Sequence, residues 1–211
     1  TARKRMGAQL AREFKNQADI VVGVPNSSLS AAMGFAEESG LPNEMGLIKN
    51  QYVQRTFIQP TQELREQGVR MKLSAVSGVV KGKRVVMIDD SIVRGTQLRE
   101  TTEFLDQSGA REVHIRPACP PLLYGCKYLN FSRSTSEMDL ITRRVIQQIE
   151  GDRKYINLDA YSNPETPEFQ AMVSQIGQQL NFTSLRYNRL DDMIDSVGID
   201  RCKLCTYCWD G

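Results

Sequence analysis

The chain has 211 residues, enough for one large domain or one and a half ordinary ones. Its 27 Lys and Arg against 25 Asp and Glu leave a net charge of +2, without the basic excess of a general nucleic-acid or membrane-surface binder. A composition 40% hydrophobic and 25% charged excludes global disorder, and no apolar run approaches the ~20 residues that span a bilayer.

Met6, Leu10, Ala11 and Phe14 have helical spacing and predict a first helix over residues 6–14. Residues 19–24, Asp-Ile-Val-Val-Gly-Val, read as a short buried strand ending at Pro25. Ala31, Ala32, Phe35 and Ala36 predict a helix over 30–38, stopped by Gly40 and Pro42, and 45–48 is strand-like. From 49 to 71 the pattern degrades into charges, Gln and Pro60, which reads as a long loop of the kind that is functional or disordered. Residues 75–80 are strand-like and Lys81-Gly82-Lys83 makes a turn. Residues 84–90 form the continuous apolar run expected of a parallel strand buried on both faces. A helix over 97–107 follows, stopped by Gly109, and then a strand carrying Val113, Ile115 and Pro117. Strands alternating with helices at this spacing predict an α/β fold with an open, mainly parallel sheet flanked by helices. After about residue 129 the character becomes helical, with helices expected over 138–149, 169–180 and 190–197 and a loop over 159–167. Residues 1–129 are therefore expected to form an α/β core, and 130–211 a helical C-terminal extension with a cysteine-rich tail packed on that core.

The chain opens Thr1-Ala2-Arg3-Lys4-Arg5, with no Met and no apolar segment behind the basic residues, and reads as a piece of something longer without a secretory signal. Cys119 and Cys126 lie mid-chain, whereas Cys202, Cys205 and Cys208 crowd the last ten residues. An odd number without a signal peptide fits reduced thiols or a metal site in the cytoplasm better than a disulfide framework.

The segment from Val85 through Asp89, Asp90, Ser91, Ile92, Val93, Arg94, Gly95 and Thr96 carries the most chemistry. An apolar strand delivers two adjacent carboxylates to its C-terminal end, where ligands of open α/β sheets bind. A loop of small and polar residues then opens a helix, whose free N–H groups suit phosphate. Acids and an anion site in one turn imply a ligand with both hydroxyls and phosphate, together with a divalent cation. The plainer alternative is that Asp90 or Ser91 caps the helix and Asp89 solvates a strand end.

This segment resembles the phosphoribosyl-pyrophosphate (PRPP) motif of type I phosphoribosyltransferases. Together with Val24-Pro25-Asn26-Ser27-Ser28, Gly46-Leu47-Ile48-Lys49-Asn50, Arg55-Thr56-Phe57-Ile58 and Met71-Lys72-Leu73-Ser74-Ala75, it is similar to the glutamine PRPP amidotransferase family, strongly over residues 3–126. Enzymes of that family make 5-phosphoribosylamine in the first step of purine synthesis, which makes this chain a glycosyltransferase domain by resemblance. The resemblance implies that Asp89 and Asp90 hold the ribose hydroxyls directly and through Mg²⁺, and that Ser91, Ile92, Val93, Arg94, Gly95 and Thr96 cradle the 5-phosphate. It implies that Asn26, Ser27 and Ser28 bind pyrophosphate, with Ser27 beside the metal. Residues 49–60, beginning at Lys49, would close over PRPP, and Arg55 and Lys72 would meet the leaving pyrophosphate in the catalytic step. The family loop reads Lys-Asn-Arg-Tyr-Val-Gly-Arg, whereas Gln51 and Gln54 here replace its first Arg and its Gly. The expected substrates are PRPP and ammonia, the latter supplied by a glutaminase domain that this chain lacks. The family also implies a homo-oligomer. Thr1 leads straight into a basic helix and is not read as a nucleophile, and the single histidine, His114, reads as structural.

In the iron–sulfur branch of this family, ligands match Cys126, Cys202 and Cys205, and a fourth lies upstream of Thr1. A [4Fe-4S] cluster is thus implied in a full-length protein, with zinc as the other occupant and Cys208 or Cys119 as substitutes. Two rival readings are a base-salvage phosphoribosyltransferase and a PRPP-sensing regulator that binds nucleic acid. The near-neutral charge disfavours the regulator, and the long loop and cysteine tail disfavour the salvage enzyme.

Overall fold

A computed structural model of the chain describes residues 1–50, 73–126, 128, 137–153 and 157–211. Helix α1 (Ala2–Arg12) is followed by β1 (Ile20–Gly23), α2 (Leu29–Ser39) and β2 (Leu47–Lys49). Next come β3 (Leu73–Ala75), α3 (Ser77–Val80), β4 (Arg84–Asp89), α4 (Thr96–Gln107) and β5 (Glu112–Pro117). The C-terminal part contributes α5 (Ile141–Glu150), α6 (Leu158–Ser162), α7 (Pro167–Gln179), β6 (Ser184–Leu185), α8 (Leu190–Val197) and α9 (Tyr207–Asp210). The main sheet has the order β1-β4-β5-β6 with every pair parallel. β2 and β3 form a separate antiparallel pair.

Alternation along the strands explains the two cores. Ile20, Val22, Val85, Met87, Val113 and Ile115 face one side, where Val145, Met172 and Ile176 of α5 and α7 close over them. Val21, Val86 and Ile88 face the other, against Ala31, Ala32 and Phe35 of α2 and Leu10 of α1. β4 lies between two parallel neighbours and under helices on both faces, so its sequence has no polar phase. Among the described residues no helix is long and apolar enough to cross a membrane.

Two readings of the sequence need correction. Residues 75–80 are not one strand: the strand ends at Ala75 and a helical turn follows. There Val79 N and Val80 N donate to Val76 O at 2.9 and 3.1 Å, and Lys81 N to Ser77 O at 3.0 Å. The turn reverses the chain towards β4 while burying Val80 completely, and that packing overrides the β preference of valine. Residues 159–167 are not wholly loop, because α6 occupies 158–162 and buries Tyr161, whose hydroxyl donates to Glu150 Oε1 at 2.9 Å. Thr166-Pro167 at the end of that stretch is a helix start: Thr166 Oγ1 accepts Phe169 N at 3.3 Å, with Pro167 at the first position of α7. The mostly helical region after 130 also contributes β6, the fourth strand of the main sheet.

Candidate functional site

β4 ends at Asp89, and the edge of β5 locks the next residues in place. Ala118 N donates to Asp89 O at 2.8 Å and Cys119 N to Asp90 O at 3.1 Å. The Asp89 side chain accepts on one oxygen, Oδ1, from Asp90 N at 2.8 Å and from Ser28 Oγ at 3.0 Å. Asp90 Oδ1 accepts from Ser91 N at 2.8 Å. Burial, and then the negative charge of Asp90, holds the Asp89 carboxyl well above the ordinary carboxylate range.

The loop from Ser91 to Gly95 is oriented by the C-terminal part of the chain. Its Val93 carbonyl accepts Ile141 N at 2.9 Å and its Arg94 carbonyl accepts Arg144 Nη2 at 2.7 Å. With these carbonyls turned towards α5, the amides of residues 92–95 meet no acceptor within the described chain. Gly95 has φ +79°, and Thr96 begins α4, a helix of 12 residues. Unclaimed amides leading into a helix N-terminus form a cradle suited to an anion. Ile92 is buried as the anchor of the loop, while the Arg94 guanidinium turns to Asp139 at 3.4 Å.

The second turn, residues 24–28, comes off β1 beside it. Val24 N donates to Ile88 O at 2.9 Å, the Pro25–Asn26 peptide is cis, and α2 starts after Ser28. Asn26 is exposed, Ser27 half-buried and Ser28 buried. Sixty-one residues separate Ser28 from Asp89, yet their side chains meet. Arg3 of α1 reaches the same turn, Nη1 donating to Ser27 O at 3.1 Å. Sequence reasoning did not single out Arg3, since a basic residue on a terminal helix carries no local signal.

Lys49 ends β2 on the separate two-stranded sheet and is exposed. Arg55, Lys72 and most of the 49–71 loop lie outside the described residues. His114 is 2% exposed, its Nδ1 meeting Ser184 Oγ at 2.8 Å and its Nε2 meeting Glu112 Oε2 at 3.1 Å. Burial first, and then Arg116, lower its pKa, so it stands as a neutral clasp between strands.

Two cation centres can be tested against these residues. At the acid pair the donors are two crowded carboxyls and nearby hydroxyls, in a site whose burial already favours added positive charge. Mg²⁺ is held through one or two carboxylates plus substrate phosphate and is not caged by protein, so the pair fits it. Cys126 hydrogen-bonds the Cys208 thiol, whose pKa rises to about 11 by burial, by the charge of Cys126 and, more weakly, by that of Cys205. Cys202 is exposed on a separate turn, Arg201–Lys203. Among the described residues no three His, Cys, Asp or Glu side chains gather as a metal-holding set. Cys119 sits beside the acids, its thiol pushed up to about 12 by burial and then by Asp90.

The family described as "Phosphoribosyl transferase domain" matches residues 2–119. The amidophosphoribosyltransferase of Bacillus subtilis (strain 168) is 54% identical over 162 residues, 77% of this chain and 33% of that protein. The amidophosphoribosyltransferase of Staphylococcus aureus (strain N315) is 46% identical over 198 residues, 94% of this chain and 34% of that protein. Among solved structures, the B. subtilis glutamine PRPP amidotransferase complexed with ADP and GMP superposes with a TM-score of 0.75 at 43% identity. That match covers 99% of this chain and 40% of the other. The chain spans about a third of the length of the curated relatives it matches.

Proposed function

Because the chain belongs to the phosphoribosyl transferase domain family, we propose that it converts PRPP and ammonia to 5-phosphoribosylamine and pyrophosphate, the entry step of purine synthesis. The observation that carries this reading is the junction of Asp89 and Asp90 with the 24–28 turn on one side and the open-amide loop before α4 on the other. It offers acids for ribose hydroxyls and two separate anion cradles, the requirements of a sugar phosphorylated at both ends. Asp89 and Asp90 would hold the ribose, the loop of residues 91–96 with its open amides at 92–95 the 5-phosphate, and the turn of Asn26, Ser27 and Ser28 the pyrophosphate. Arg3 braces that turn by holding the Ser27 carbonyl.

In the reaction the bond from C1 to the pyrophosphate oxygen breaks and a bond from C1 to nitrogen forms. The pyrophosphate leaves with the electron pair, and the ammonium proton of the product passes to solvent. Mg²⁺, when bound at Asp89, Asp90 and the Ser27 turn, supplies charge neutralisation for the departing group. Fixed amides and cations act before the charge develops, so they need no reorganisation as it grows. Neutral ammonia needs no strong base, which agrees with a site whose nearest described histidine is a strand clasp. Arg55, Lys72 and Lys49 would face the leaving group by resemblance alone. Residues 130–211 act as an extension that braces the phosphate loop through Ile141 and Arg144. In the longer relatives' arrangement a glutaminase domain would feed the ammonia, in a cytoplasmic homo-oligomer.

The test is calorimetry of PRPP with Mg²⁺ on Asp89→Asn combined with Asp90→Asn. Binding should be lost while the circular-dichroism spectrum is kept. Tight Mg²⁺-dependent binding by that variant, or pyrophosphate release with a free nucleobase and none with ammonia, would overturn the reading.

A further inference from the structure

We infer that Ser28 is a positioning residue whose hydroxyl orients Asp89 and ties the 24–28 turn to the acid pair, so that Asn26 and Ser27 are the residues of that turn left to meet pyrophosphate. The inference rests on the PRPP reading above and deepens it.

Ser28 occupies the N-cap of α2, where a serine ordinarily turns its oxygen onto the helix's own N–H groups. Here no such cap bond forms. The hydroxyl donates instead to Asp89 Oδ1 at 3.0 Å, across 61 residues of sequence. At 1% exposure it lies beneath the surface that a ligand would touch. The backbone fixes it there: Ser28 N donates to Val24 O at 3.3 Å and Ser28 O accepts Ala32 N at 2.9 Å. Asp89 Oδ1 therefore carries two donors, Ser28 Oγ and Asp90 N, which set the plane of the carboxyl group. An oxygen that already accepts two hydrogen bonds is the poorer cation ligand, so a metal is left to Oδ2. The same bond joins the ends of β1 and β4, so the pyrophosphate turn and the ribose acids keep one spacing. Partners of this kind, one shell behind a metal ligand, typically change metal affinity by 10–100-fold when removed.

The experiment measures PRPP binding to this chain by calorimetry across a Mg²⁺ series, with thermal unfolding recorded for each variant. Ser28→Ala should raise the Mg²⁺ concentration needed for half-maximal PRPP binding by about tenfold, with excess Mg²⁺ recovering much of the loss. In the Asp89→Asn background, adding Ser28→Ala should cause no further loss. Should Ser28→Ala fail to fold, Ser28→Cys, a weaker donor at the same place, should show a smaller shift in the same sense. A wild-type Mg²⁺ dependence in the folded variants, or an equal loss at every Mg²⁺ concentration, overturns the inference. Tight binding by Asp89→Asn alone would instead overturn the PRPP reading on which it rests.

Discussion

Gly95 holds two constraints at once. Its φ of +79° lies in the left-handed region, and a Cβ there would sit 2.7 Å from Ile141 Cδ1 and 3.1 Å from Leu180. Gly95→Ala should therefore cost about 1–3 kcal/mol in chemical denaturation and also weaken PRPP binding, because relief of the clash displaces the amide cradle. Asp19 gives a pH signature of a different kind. Arg84 donates to its two oxygens from Nε at 3.2 Å and Nη2 at 2.8 Å, and the Arg84 amide donates at 2.7 Å. Those side-chain bonds, and then the amide, hold the Asp19 carboxyl well below its ordinary range. A depressed folded pKa contributes stability above the unfolded value near ~4 and loses it as pH falls below that value. The stability gap between the wild type and Asp19→Asn should stay constant from pH 7 to about 5 and close towards pH 2. It should be small, since both partners are partly exposed.

At the scale of elements, α1 and α2 cross backbone to backbone. A Cβ on Gly7 would lie 1.8 Å from Ala31 O, and one on Gly34 would lie 1.9 Å from Lys4 O. This contact brings Arg3 to the Ser27 carbonyl. Gly34→Ala should force the helices apart, lowering stability by about 2 kcal/mol or more. It should also loosen PRPP binding beyond the loss seen for Arg3→Ala, which leaves the crossing intact. Equal PRPP affinities in Gly34→Ala and the wild type would show that α1 has no part in holding the turn.

The whole molecule is closed by β6, which brings Ser184 to the middle of a buried polar cluster. Arg116 is 3% exposed, and its Nη1 and Nη2 each donate to Ser184 Oγ at 3.1 Å, with Asn16 Oδ1 and the Phe14 ring as further neighbours. Burial, and then Arg186, lower its pKa to about 10. Ser184→Ala removes the shared acceptor and leaves a buried cation short of partners, so it should cost about 2–4 kcal/mol. Arg116→Met, which removes the charge but fills the space, should cost less. Urea denaturation of both variants checks the order.

How much of this was legible in advance follows from where each signal lies along the chain. The 84–90 run, the acid pair and Gly95-Thr96 were readable because strand, carboxylates, loop and helix start are contiguous, and each follows from local pattern or backbone preference. The order of α1, β1, α2, β4, α4 and β5 was readable for the same reason. The valines after Ala75 misled because strand preference is weak beside the burial of Val80 and the need to reverse direction. β6 has only two residues, too few for a period, and exists because β5 offers it an edge. The bond from Ser28 to Asp89, the reach of Arg3 to Ser27 and the meeting of Cys126 with Cys208 join residues far apart in sequence. The sequence by itself determined which groups are available and which segments become strands and helices. Only the tertiary structure decided which of those groups share a site, because that depends on strand order and helix crossing, which no local pattern encodes.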